Sequence, residues 1–241
     1  MRFIEKIANR QKDKHNPPIT VAFLGDSVTQ GCFEIYRKNI GGVETVFDPS
    51  SAYHRYFAEI FETLCPNVPI NIINAGVSGA SAPFGLASIE EFVLCHKPDL
   101  TVVCYGLNDA TKGVEELKLY IDSLSAIFDR LSECGSEIIF MTPNTYCTEI
   151  STQISEPDIL AIAKRCLEKQ LDGTLDAYID AARALCKEKG IPVSDVYAKW
   201  KRLSECGINV TELLSNKVNH PTREMNKLFA YSLAETVFSL D

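Results

Sequence analysis

Long apolar runs are missing from this chain of 241 residues. No stretch approaches the roughly 18 consecutive apolar residues of a membrane-spanning helix, so no membrane span is expected. Positive charge is also short. Lys and Arg number 24 against 32 Asp and Glu, a net charge of −8. A nucleic-acid surface or a polybasic membrane patch needs the opposite excess, so neither partner is expected. The nine cysteines are odd in number and include no C-x-x-C pair. No His/Cys spacing matches a structural zinc site, and no metal or other cofactor is expected. The opening residues, Met1 to Lys14, carry charges throughout and lack the uninterrupted apolar core of a secretion signal. With thiols that look reduced, this points to the cytoplasm. A Gly-rich phosphate loop is absent too, which removes a flavodoxin-like nucleotide binder from consideration.

What remains is an ordinary globular composition, 46% hydrophobic, in a length that suits one sizeable α/β domain. The expectation is a single domain over 1–241, with 1–18 as an N-terminal extension. No repeat, low-complexity segment or linker interrupts it. A homo-oligomer is compatible with the composition, which does not decide the matter.

Apolar runs alternate with helical periodicities along the chain. Residues 3–12 form a short amphipathic pattern that His15-Asn16-Pro17-Pro18 breaks. Ile19 to Leu24 reads as a buried strand, stopped by Gly25-Asp26-Ser27. Residues 32–51, with Gly41-Gly42 and Asp48-Pro49, read as a long connection placed to shape a pocket. Helical spacing returns over 52–64, 83–95, 113–133, 157–170, 174–189 and 222–238, with shorter pieces at 197–203 and 209–214. Further strands are expected at 69–74, 99–105, 137–141 and 191–196. Alternating strands and helices imply a parallel sheet covered on both faces.

Polar residues gather where these strands end. Ser27 follows the first strand, Asn74-Ala75-Gly76-Val77-Ser78-Gly79 closes the second, and Gly106-Leu107-Asn108-Asp109 closes the third. In a parallel sheet all three ends face one edge, where such sheets place their ligands. Asn219-His220-Pro221 comes much later, before the last helix. A serine hydroxyl becomes a nucleophile when a base lies within reach and donors wait for the oxyanion.

In these four blocks, in this order over positions 25 to 221, the chain resembles the SGNH hydrolases of the GDSL esterase/lipase family. Val28 stands where the family name has Leu. The resemblance implies a flavodoxin-like three-layer α/β/α sandwich of about five parallel strands, and a serine esterase acting on a small-molecule ester. It implies Ser27 as nucleophile, His220 as base, and an oxyanion hole of the Ser27 and Gly79 N–H groups and the Asn108 side chain. Asp26 and Asp109 are expected to bond backbone around the site. Short acyl esters, such as acetyl groups on a sugar or other small alcohol, are the expected substrates. Tyr36, Arg37 and Tyr146 are candidate contacts, and Trp200 suits either core packing or a partner surface.

The family usually has an aspartate three or four residues before the histidine. Here those positions hold Lys217 and Asn216, and no carboxylate lies between Glu212 and His220. Asn216 is the expected occupant of the acid's place, its amide oxygen accepting from the imidazole. A backbone carbonyl is the alternative, and Glu212 or Asp195 reaching in from elsewhere is another. The missing acid also leaves open a catalytically weak ligand-binding protein on the same fold.

Overall fold

The computed structural model describes residues 2–39 and 41–239. The strands of the central sheet are β1 (Ile19–Gly25), β4 (Ile70–Gly76), β5 (Leu100–Cys104), β6 (Glu137–Met141) and β7 (Val193–Ser194). They run parallel in the order β4-β1-β5-β6-β7. All five residues of β5 are buried, as are six of seven in β1. This is why both read as continuous apolar runs rather than alternating ones.

The chain leaves β1 in one direction, through α3 (Tyr53–Leu64) to β4, and then returns past β1 to β5, β6 and β7. Right-handed crossovers therefore put α3 on one face and the helices that connect β4 through β7 on the other. On the first face α3 packs against the last helix, α10 (Arg223–Phe238). On the second, α4 (Ala82–Phe92) packs on α6 (Leu117–Cys134), and α6 on α8 (Thr174–Lys189), which α7 (Pro157–Leu171) flanks. The fold is the expected α/β/α sandwich of five parallel strands. The order reverses at β1, so the crevice at the carboxyl ends of β1 and β5 is where this topology places a ligand.

Two expectations change. The stretch 32–51 is not a plain loop: β2 (Cys32–Arg37) and β3 (Val43–Phe47) pair antiparallel as a separate two-stranded sheet. The β-branched and aromatic residues on either side of Gly41-Gly42 carry that signal, which the glycines and Asp48-Pro49 masked. Ile40, inside the same stretch, lies outside the described residues. The strand expected over 191–196 shortens to the two residues of β7, because Asp195 caps the helix that follows, α9 (Val196–Glu205). The residues read as an extension include α1 (Arg2–Lys12), whose Phe3 and Ile7 join the same apolar cluster as β1. Trp200 is fully buried, which assigns it to the core.

Close approach explains two glycines at the strand ends. Gly25 and Gly76 are paired across β1 and β4. A Cβ on Gly76 would sit 2.3 Å from the Gln30 backbone nitrogen and 2.7 Å from the Thr29 carbonyl carbon. Those atoms belong to α2 (Ser27–Gln30), the single helical turn that carries Ser27. Gly76→Ala should therefore push against backbone and destabilise the protein by about 1–3 kcal/mol. Urea denaturation checks this: the midpoint should fall with the slope unchanged.

Candidate active site

Ser27 is held by the turn it begins. Asp26 caps α2, its carboxylate accepting from the Val28 N–H at 2.9 Å. Gly31, in the left-handed region with φ 94°, closes the turn by donating to the Ser27 carbonyl. As the first residue of the turn, Ser27 has no intrahelical acceptor for its own N–H. Its hydroxyl is 4% exposed with the rest of the residue and lies 2.9 Å from His220 Nε2.

His220 is equally buried, and its Nδ1 is 2.8 Å from the carbonyl oxygen of Phe33 in β2. A carbonyl can only accept, so Nδ1 carries the proton and Nε2 presents its lone pair to the serine hydroxyl. Burial, the largest influence, pushes the imidazole down to about 4 against the opposing pull of the Phe33 carbonyl and the Glu34 charge. The ring is thus neutral at pH 7 and able to take a proton.

Asn216 does not occupy the acid's place. Its Oδ1 accepts from the backbone N–H groups of Val218, Asn219 and His220 at 2.9, 2.9 and 3.0 Å. Its Nδ2 donates to Asn219 Oδ1. The amide is a staple for the loop that presents the imidazole, an Asx-type arrangement that outcompetes a longer reach to the ring. The other two carboxylates are also occupied elsewhere. Asp195 takes two hydrogen bonds from Arg183 and one from Thr142, and Glu212 pairs with Lys217. Of the open alternatives, the backbone carbonyl is the one found on Nδ1.

Gly79 sits on a loop tied to α2, and Asn108 is tied to that loop. Asn74 Nδ2 donates to the Gln30 carbonyl, the Ser78 N–H donates to Gln30 Oε1, and the Val77 N–H donates to the Gly25 carbonyl. Gly79 is exposed with φ 78°, and nothing lies within 4 Å of where a Cβ would be. Asn108, in α5 (Leu107–Ala110), donates from Nδ2 to the Ala80 carbonyl at 2.8 Å. An amide nitrogen has two hydrogens, so one remains after that bond. Asp109 Oδ1 accepts from the Ala82 N–H, while Oδ2 is buried with no partner among the described residues. Burial pushes Asp109 up to about 6 and Asp26 up to about 7. Both bond backbone around the site, as expected.

Of the candidate contacts, Tyr146 is fully buried with its hydroxyl donating to the Leu107 carbonyl, so it offers nothing to a ligand. Tyr36 and Arg37 are exposed at the end of β2, and Arg37 pairs with Glu156 across from it. Sequence reasoning missed Phe33, because its contribution is a carbonyl that every residue type carries. It also missed Gln30, which joins α2 to the glycine loop.

With five parallel strands between helices and a buried Ser–His pair at the sheet's carboxyl edge, the chain is of the α/β/α sandwich class. It belongs to the GDSL-like lipase/acylhydrolase family, whose profile matches residues 23–228. An acetylxylan esterase of Geobacillus stearothermophilus is 27% identical over 130 residues, which span 50% of this chain and 58% of that relative. Among solved structures, a mutant of an acetyl-xylooligosaccharide esterase from Geobacillus superposes with a TM-score of 0.68 at 20% identity, over 91% of this chain and 94% of that one. A two-domain esterase active on acetylated mannans gives 0.67 at 16% identity, over 98% of this chain and 52% of that one. At these identities the structural likenesses carry the fold. Among the described residues no helix is long and apolar enough to cross a membrane.

Proposed function

We propose that this chain is a serine esterase working through a Ser27–His220 dyad on short acyl esters of carbohydrates. The observation that carries the reading is the imidazole bridging Ser27 Oγ at 2.9 Å and the Phe33 carbonyl at 2.8 Å, in the only tautomer that leaves Nε2 free to accept.

In this reading Ser27 Oγ attacks the ester carbonyl carbon as its proton passes to His220 Nε2. The oxyanion is held by the Ser27 and Gly79 N–H groups and the remaining Asn108 amide hydrogen. His220 then returns the proton to the leaving alcohol oxygen, and an acyl group stays on Ser27. Water, deprotonated by the same nitrogen, releases the carboxylic acid and restores the hydroxyl. Replacing a triad aspartate by asparagine costs about 10⁴ in other enzymes because the tautomer is wrong. Here the tautomer is correct, so only the charge is missing. A charged acceptor is worth about twice a neutral one, so the deficit is about 1–2 kcal/mol, or roughly tenfold in rate.

Acetylated sugars are favoured because the family relatives above are esterases of acetylated xylan and mannan. Purified protein should release acetate from acetylated xylo- or manno-oligosaccharides and cleave p-nitrophenyl acetate faster than the octanoate. A preference for octanoate would move the substrate class to longer acyl chains. The imidazole Nδ1 meets a neutral backbone carbonyl and not a carboxylate, which supports a second reading as a ligand-binding protein with little turnover. Equal rates for the parent and Ser27→Ala on every ester would favour that one.

A further inference from the structure

The carbonyl that orients His220 lies outside the sheet that carries the rest of the site. Phe33 belongs to β2, whose ladder partner is β3 and not any strand of the five-stranded sheet. Its side chain is 1% exposed, yet it is absent from the main apolar cluster. A charged group stacks on it: the Arg223 guanidinium carbon stands 4.3 Å from the centre of the Phe33 ring.

The same guanidinium grips the next residue and the end of β3. Nη1 and Nη2 donate to the two carboxylate oxygens of Glu34 at 2.7 and 3.3 Å, and Nε donates to Asp48 Oδ2 at 2.9 Å. Asp48 is itself anchored, since its N–H donates to the Gly31 carbonyl at the end of the Ser27 turn. Arg223 is the first residue of α10, three after His220. One turn of chain therefore holds the Phe33-Glu34 dipeptide twice, by the carbonyl through the imidazole and by the ring and next carboxylate through the guanidinium. A planar fork that stacks and bonds two carboxylates has no equivalent in lysine.

We propose that Arg223 is a positioning residue for His220, keeping the Phe33 carbonyl on Nδ1. Through Arg223, the carboxylates of Glu34 and Asp48 do the orienting work that an aspartate on the imidazole would do directly. The proposal rests on the dyad reading of the site.

Arg223→Ala should lower kcat on p-nitrophenyl acetate about 10–100-fold, the range typical of lost supporting contacts, with KM within about twofold. Arg223→Lys should recover little of it, whereas added guanidinium ion at non-denaturing concentration should restore part of the rate to Arg223→Ala. Arg202→Ala, which removes an exposed partner of Glu205, serves as the unaffected control. A second readout needs no turnover. The chain has four histidines, so the ring N–H signals of the resting protein are few. The parent should show a protected His220 Nδ1–H resonance by NMR, assigned by its absence in His220→Gln, and Arg223→Ala should lose it. A kcat within twofold of the parent, or a lost rate with the Nδ1–H resonance intact, would overturn the proposal. If the parent turns over no ester, the dyad reading fails, and the NMR comparison alone decides whether Arg223 positions the ring.

Discussion

Replacing Ser27 by Ala should reduce ester hydrolysis by about 10⁴–10⁶ in kcat, leaving what the oxyanion donors and binding alone supply. The fold should survive. The hydroxyl's partner in the structure is His220 Nε2, and a neutral ring nitrogen left without its donor costs about 1 kcal/mol. Equal melting temperatures with a lost rate would therefore separate chemistry from stability. The pH profile of the parent carries the complementary test. The base must be neutral to act, and burial holds His220 down to about 4. As pH falls, activity should persist below the usual histidine range near 6.5 and fail around pH 4. An acid limb near 6.5 would mean that the ring is more hydrated than its burial indicates. A retained rate in Ser27→Ala would remove Ser27 from the nucleophile's role.

Asn216→Ala should be the most damaging change that touches no substrate. Three backbone N–H groups, of which those of Val218 and His220 belong to buried residues, would lose one shared acceptor. Each unsatisfied buried donor costs about 1–3 kcal/mol, and with partial access to water the sum is about 2–4 kcal/mol. The loop also contains Lys217 at φ 58°, a left-handed conformation that a lysine holds only when its neighbours impose it. Freed from the staple, the loop would relax and carry His220 with it, so kcat should fall along with the urea midpoint. Asn216→Asp should behave differently: a carboxylate still accepts from all three N–H groups, losing only the donation to Asn219 Oδ1. Its kcat should stay within a few-fold of the parent. A tenfold gain would show that position 216 turns to the imidazole after all.

Much of the molecule was legible in one dimension. The buried strands β1 and β5 announce themselves because they are covered on both faces and need no alternation. Gly25-Asp26-Ser27, Gly106-Leu107-Asn108 and Asn219-His220 stand out because each ends or begins an element with a residue that is a poor choice for packing. Their convergence follows from parallel topology alone, since parallel strands bring all their carboxyl ends to one edge. The hairpin was less legible. Its glycines and the Asp48-Pro49 turn look the same in a loop, and only pairing between Cys32–Arg37 and Val43–Phe47 distinguishes them.

The partner of the histidine was beyond the sequence for a different reason. Which side chains could bear a charge near His220 can be read from the chain, and so the absence of an aspartate at 216 or 217 was visible. What fills the gap is a backbone carbonyl from a residue 187 positions away, and a carbonyl has no residue type to recognise. Asn216 had the right chemistry at the right spacing, but its amide was claimed by the nearer N–H groups of its own loop. By itself, then, the sequence determined the sheet and the edge at which Ser27 lies, because periodicity and strand ends are local properties. Only the tertiary structure decided that the Phe33 carbonyl orients the ring and that Arg223 grips Phe33, because both depend on a hairpin laid against the start of the last helix.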